Sequence, residues 1–154
     1  KDIDVAYVPI GMGSGICSAV AVRNGLKLKT KLIGVVSAHA TSYADSFEKG
    51  SVVESPVSTR IADGVACRRA DAEQLAILLD NVDHLVRVTD DEVEAAMRHY
   101  FTDTHNVVEG AGAASLAAAI QEKEQLQGKR VAVIATGANV DRDVFARVLK
   151  NETV

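Results

Sequence analysis

Apolar residues fall in short β-rich runs separated by stretches of helical periodicity, the alternation expected of a parallel sheet with helices packed on it. Four runs predict strands: Val5–Ile10, Lys31–Ser37, His84–Thr89 and Lys129–Thr136. Three of them are nearly continuous Val, Ile, Leu and Ala, as burial on both faces of a parallel sheet demands. His84–Thr89 alternates more and is expected nearer an edge.

Helix signals lie between these runs. Thr89-Asp90-Asp91-Glu92 has capping-box spacing, in which the Thr89 hydroxyl and Glu92 carboxylate each satisfy a free backbone N–H. Val93, Ala96, Met97, Tyr100 and Phe101 then recur with helical period, so one stripe faces the sheet. Ala72–Val82 has a similar stripe through Leu75, Leu78, Leu79 and Val82, behind the candidate cap Asp71. Ala111–Gln121 is rich in Ala and Gly, which lets a helix approach a sheet or a ligand closely. Between Gly50 and Arg69 the periodicity fails and turn formers dominate; so long a loop inside a domain is more often functional than idle. No repeat or linker divides the chain. The expectation is one domain over residues 1–154, of the α/β class, with a mostly parallel sheet between two helical layers.

Composition narrows the function classes. With 154 residues, 47% of them hydrophobic, the chain can bury a core. A net charge of −4 without a dense basic run argues against a nucleic-acid partner. Apolar stretches such as Leu32–Val36 and Val131–Ala135 are strand-sized, far below the roughly 20 residues that cross a bilayer. No membrane segment is expected, and two cysteines without a secretory leader fit a cytoplasmic setting. The start at Lys1, without methionine and close to a buried-looking strand, reads as a piece of a longer protein.

The sharpest chemical signal is Gly11-Met12-Gly13-Ser14-Gly15, which follows a strand and precedes a plausible helix over Ile16–Asn24. Glycines let backbone N–H groups converge on an anion, and the helix N-terminus adds about half a positive charge. The bland alternative is a tight turn. A dinucleotide fingerprint needs a third glycine where Ile16 stands and an acid where Val36 and Ser37 stand. A Walker loop needs Lys and then Ser or Thr after the last glycine, where Ile16 and Cys17 stand. What remains is a loop holding one phosphate monoester through backbone amides and a serine hydroxyl.

With three further segments in order, the chain resembles fold-type II pyridoxal-phosphate (PLP) enzymes, in particular threonine/serine ammonia-lyases (dehydratases) and serine racemases. Val8-Pro9-Ile10-Gly11-Met12-Gly13-Ser14 looks like the family's phosphate loop, and Ile61-Ala62-Asp63-Gly64-Val65 like its Ala-Asp-Gly segment. Val108-Glu109-Gly110-Ala111-Gly112-Ala113 resembles its Glu-x-x-Gly-Ala segment, and Ile134-Ala135-Thr136-Gly137-Ala138-Asn139-Val140-Asp141 its Ser-Gly-Gly-Asn-x-Asp ending. The resemblance implies the C-terminal part of a tryptophan synthase β-like large domain. It places the PLP phosphate on Gly11, Met12, Gly13, Ser14 and Gly15, the Thr136 hydroxyl at the pyridine nitrogen beside Gly137, and Gly64 and Glu109 near the ring or substrate. A turn glycine and a helix N-terminal carboxylate are the bland readings of Gly64 and Glu109. The implied activity is β-elimination on a hydroxyamino acid to a 2-oxo acid and ammonia, by a homodimer. Serine racemisation, or elimination on hydroxyaspartate, is the alternative within the family. From another class comes a non-catalytic domain that holds a phosphate ligand or joins subunits.

Two departures qualify the resemblance. None of Lys27, Lys29, Lys31, Lys49, Lys123, Lys129 and Lys150 stands in the family's Ser-x-Lys context, so the Schiff-base lysine is expected upstream and this polypeptide inert alone, with no catalytic residue of its own. Val36 and Ser42 replace acids that bind a cation in serine racemase-like members, so no metal is expected there. His39, His84, His99 and His105 show no ligand spacing with Cys17 or Cys67. Asp90-Asp91-Glu92 reads as the negative first turn of a helix.

Overall fold

The run beginning at Val5 forms β1 (Val5–Pro9), and all five of its residues are buried, as a strand covered on both faces requires. The computed structural model describes residues 3–152; Lys1 and the reading drawn from it lie outside the described residues. β2 (Lys31–Ser37), β3 (His84–Val88) and β4 (Val131–Val133) complete a parallel sheet in the order β3-β2-β1-β4. β3 takes an edge, as its alternation implies. The fourth run departs from expectation: only three residues pair, and they are exposed or half-buried. β4 is the other edge, with a neighbour on one side only, and beyond Ile134, whose N–H donates to the Tyr7 carbonyl at 3.2 Å, the chain leaves the ladder.

Alternate residues of the strands feed two apolar layers. Ala6 and Val8 join Leu32 and Val36 on one face, beneath α1 (Ser14–Gly25), α2 (Ser42–Lys49) and α3 (Ala72–Asn81). Val5 and Tyr7 join Ile33, Val35, Val86 and Val88 on the other, beneath α4 (Asp90–Thr104), α5 (Gly110–Gln121) and α6 (Arg142–Lys150). The three-layer α/β architecture is therefore the one the alternation implied. Gly34 thins the first layer: a β-carbon there would collide with Ile10 Cδ1 and crowd Leu85 and Ile16, which pack into the space.

Local signals account for most boundaries. The Asp71 carboxylate caps α3 by accepting from Gln74 N–H at 3.0 Å, and Thr89 with Glu92 forms the full capping box of α4. Two stripe residues do not reach the core: Leu79 is 39% and Phe101 41% exposed, the latter stacking edge-on against Phe145. α5 is buried on nearly every side, and its run of alanines allows that closeness to β1 and α4. Periodicity did not reveal α2 or α6. α2 buries Ser42 and Ser46 beside Tyr43 and Ala44, and the two serine hydroxyls donate to the Cys67 and Ser42 carbonyls, so the polar part of its inward face is satisfied in structure. Residues 50–69 are largely irregular, with one bridge between Glu54 and Arg69 and a 3₁₀ turn at Asp63–Val65.

Candidate functional site

In a parallel sheet ligands gather at the carboxyl ends of the strands, where neighbouring connections run in opposite directions. Here the chain steps from β1 to β2 to β3 on one side and returns to β4 on the other, so that point lies between β1 and β4. The loop after β1 and the segment after β4 both open onto it. Gly11, Met12, Gly13, Ser14, Gly15, Gly64, Glu109 and Thr136 line one cavity of about 420 Å³ there, with Pro9, Val65 and Ala111. Gly137, the ninth candidate, lines instead a neighbouring cavity beside Thr136, with Tyr100 and Val107.

Glycines make this convergence possible. A β-carbon on Gly11 would overlap the Gly64 carbonyl, and one on Gly64 would come to 2.8 Å from Ala111 Cβ. Beside the cavity, a β-carbon on Gly137 would meet Glu109 Oε1 at 2.5 Å. Four segments distant in sequence thus approach closely because glycine leaves the space at each contact. Gly13 is the N-cap of α1 with φ 96°, a conformation open to glycine and costly for other residues.

The electrostatics favour an anion at one end of the cavity. The first turns of both α1 and α5 face it, and their leading N–H groups have no intrahelical acceptor. Neither first turn carries an acid. Glu109, the residue before α5, is bound to the segment after Thr136: its N–H donates to the Gly137 carbonyl at 3.0 Å, and its Oε2 accepts from Asn139 N–H at 3.1 Å. A second cavity of about 300 Å³, bounded by Arg60, Asp63, Asn139 and Asp141, shares Gly64, Glu109 and Ala111 with the first.

Sequence reasoning missed two residues behind the cavity. Asp90, read as a helix-dipole acid, is 3% exposed, and its carboxylate accepts from the Thr59 hydroxyl at 2.6 Å and Arg60 N–H at 2.9 Å. Thr59 Oγ1 in turn accepts from Ala62 N–H at 3.2 Å, so Asp90 holds the turn that carries Gly64. Nothing in the sequence distinguishes the acid that turns inward from its solvated neighbour Asp91. Tyr43, on the unrecognised α2, touches the glycine loop from below. Val36 lies in the apolar layer and Ser42 is bound to the Cys67 carbonyl. His105 ends α4 in the left-handed conformation, exposed and outside the cavity.

Fold and site together define an α/β protein with a glycine-lined cavity, faced by two helix N-termini, at the switch point of a parallel sheet. The chain belongs to the family of pyridoxal-phosphate dependent enzymes, whose family model matches residues 1–137. It is 33% identical over 154 residues to an L-threonine ammonia-lyase of Geobacter sulfurreducens, covering 99% of this chain and 38% of that protein. It is 36% identical over 151 residues to a phenylserine dehydratase of Ralstonia pickettii, covering 96% of this chain and 45% of that protein. The processed form of threonine deaminase isoform 2 from Solanum lycopersicum superposes with a TM-score of 0.90 at 28% identity, over 100% of this chain and 46% of that one. The chain thus spans less than half the length of each of these relatives.

The residues present fit the family's cofactor. The cavity lies within the roughly 300–1,000 Å³ usual for small-molecule sites. One end offers the leading backbone N–H groups of α1 and α5, with no acid in either first turn, and Thr136, three residues beyond β4, brings a hydroxyl to the same cavity. No helix among the described residues is long and apolar enough to cross a membrane.

Proposed function

We propose that residues 1–154 are the C-terminal portion of the PLP-binding large domain of a hydroxyamino-acid dehydratase, which converts a substrate such as threonine or serine to a 2-oxo acid and ammonia. The observation that carries this reading is the single cavity in which a glycine loop and a neutral hydroxyl, Thr136, stand at the ends of adjacent strands. Bound PLP would supply an electron sink for the α-carbon of an amino acid. The chain's residues would hold and tune it. Gly11 to Gly15 would bind the phosphate through backbone N–H groups, with the Ser14 hydroxyl at its side. Thr136 would meet the pyridine nitrogen. A hydroxyl there, unlike a carboxylate, does not hold that nitrogen protonated, which suits loss of a β-hydroxyl better than transamination. Gly64 would let backbone lie against the ring, and Glu109 would fix the Gly137–Asn139 segment beside Thr136.

Among the described residues, the cavity lining contains no amine. In this reading the Schiff-base lysine, which also moves the α-proton, comes from a part of the protein outside this chain, and residues 1–154 alone are inert. Serine racemisation and hydroxyaspartate elimination would use the same cradle. A homodimeric, cytoplasmic enzyme belongs to the same proposal. The test is an assay of the whole protein with threonine, serine, phenylserine and 3-hydroxyaspartate, following 2-oxo acid formation and serine racemisation. Formation of a 2-oxo acid from at least one of them is expected. Absence of both activities in a protein that binds PLP would leave a phosphate-ligand domain without this chemistry.

A further inference from the structure

We infer that Tyr43 is a positioning residue for the phosphate loop: its hydroxyl turns the Met12–Gly13 peptide so that the Gly13 N–H faces the cavity, and so selects a phosphate-bearing cofactor over its phosphate-free form. The inference rests on the PLP reading and extends it to a residue outside the cavity.

Tyr43 lies on α2, 1% exposed, and is not among the residues lining the cavity. Its hydroxyl donates to the Met12 carbonyl at 2.5 Å and accepts from Asp71 N–H at 3.2 Å. The roles are fixed, because the Asp71 amide can only donate and the single phenolic proton must go to Met12. A trans peptide is planar, with its C=O and N–H pointing in opposite directions. Holding the Met12 carbonyl back toward α2 therefore aims the Gly13 N–H forward, and that N–H has no acceptor among the described residues.

A loop of Gly-Met-Gly-Ser-Gly cannot fix this orientation by itself, since glycine adopts many backbone conformations and loses the most entropy on ordering. The restraint comes from behind. Asp71 caps α3, placing Gln74 so that its side-chain oxygen, buried and without a hydrogen-bond partner, abuts the Gly13 Cα on the side a β-carbon would occupy. Cys67 Sγ lies 3.7 Å from Met12 Sδ, and Ser42 holds the Cys67 carbonyl at 2.6 Å. α2 thus ties the loop and the start of α3 together through Tyr43 and Ser42. Burial pushes the Tyr43 phenol above its ordinary value, so it remains a donor at neutral pH.

The test uses the whole protein and compares the affinities of PLP and pyridoxal, read by spectroscopic titration, with the ³¹P resonance of the bound phosphate as a second readout. Tyr43→Phe keeps the ring and removes the hydroxyl. Its PLP affinity should fall about tenfold, the usual consequence of a buried carbonyl losing its donor, with pyridoxal affinity unchanged and the ³¹P line shifted. Tyr43→Met, which also fills the space without a hydroxyl, should give the same ratio if the phenylalanine variant does not fold. Ser46→Ala removes another buried α2 hydroxyl, one that contacts Ser42 and Val53 rather than the loop, and should leave the ratio alone. Equal losses for both ligands, an unchanged ratio in the Tyr43 variants, or the same change in Ser46→Ala would overturn the inference. A wild-type protein that binds neither ligand would instead remove the cofactor reading, and this inference with it.

Discussion

At the amino ends of the strands, polar side chains answer one another, whereas at the carboxyl ends the leading backbone N–H groups of α1 and α5 face a cavity without an intrahelical acceptor or a side-chain cap. Lys31 pairs with Asp83 at 3.0 Å, and His84 bridges Asp83 at 3.0 Å and Glu122 at 2.8 Å. Glu122, which ends α5, also accepts from the buried Tyr7 hydroxyl at 2.6 Å. At the opposite end, glycines replace side chains and two helix N-termini face a cavity. A closed network adds stability and fixes α5; an open set of donors leaves its free energy for a ligand. α5 joins the two ends, held at its last turn by Glu122 and presenting Glu109 and Ala111 to the cavity at its first.

The largest expected effect separates the ends at Gly13. Gly13→Ala places a β-carbon where φ is 96° and where Gln74 and Tyr43 already stand. Strain and displacement together should cost about 3 kcal/mol at the loop, which lowers PLP affinity of the whole protein about a hundredfold. Spectroscopic titration checks this. Affinity close to wild type would mean that the loop is only the tight turn of the bland reading.

How much of this was visible in sequence differs between the ends in the same way. The glycine loop, the Ala-Asp-Gly turn and the segments at Glu109 and Thr136 could be read because close approach of one segment to another restricts residue type at Gly11, Gly64 and Gly137. The capping boundary at Thr89 and the buried β1 and β2 were legible because each rests on neighbours in sequence. The Glu122 network was not, since its members come from β1, β2, the start of β3 and the end of α5, and their types are common on any surface. α2 stayed hidden because it is only eight residues long and serines share its buried face with Tyr43 and Ala44, which interrupts the apolar stripe. β4 was overestimated because its run is apolar although its residues lie exposed or half-buried at a sheet edge, and an apolar run does not say how many strand neighbours a segment has.

A smaller effect should appear at the closed end with Tyr7→Phe. The hydroxyl lies within the core and donates to a carboxylate whose other oxygen meets His84. Burial, with Glu122 beside it, holds the phenol well above its ordinary value, so it is a neutral donor at all working pH. Its loss should cost about 1–2 kcal/mol of stability in urea titration while PLP affinity stays within twofold. A matching loss of affinity would show that α5 transmits the disturbance to Glu109, and that the two ends are not independent.

The smallest effect is one of pH. Burial alone would lower the His84 pKa, but its hydrogen bonds to Asp83 and Glu122 outweigh that and raise it above the ordinary value of about 6.5. A raised histidine contributes stability fully below its unfolded value and loses it as pH climbs through the folded one. Asp83 is shifted the other way, by His84 first and then Lys31, so its contribution is present above its ordinary carboxylate range and lost in acid. Both operate together in mildly acidic solution. His84→Gln should therefore be less stable than wild type near pH 5.5 and approach it above pH 8. With the His84 side chain 38% exposed, screening keeps the difference below about 1 kcal/mol. Urea titrations of both proteins at the two pH values measure it. A deficit that is the same at both would assign His84 a packing role, leaving the closed end a neutral clamp rather than a charged one.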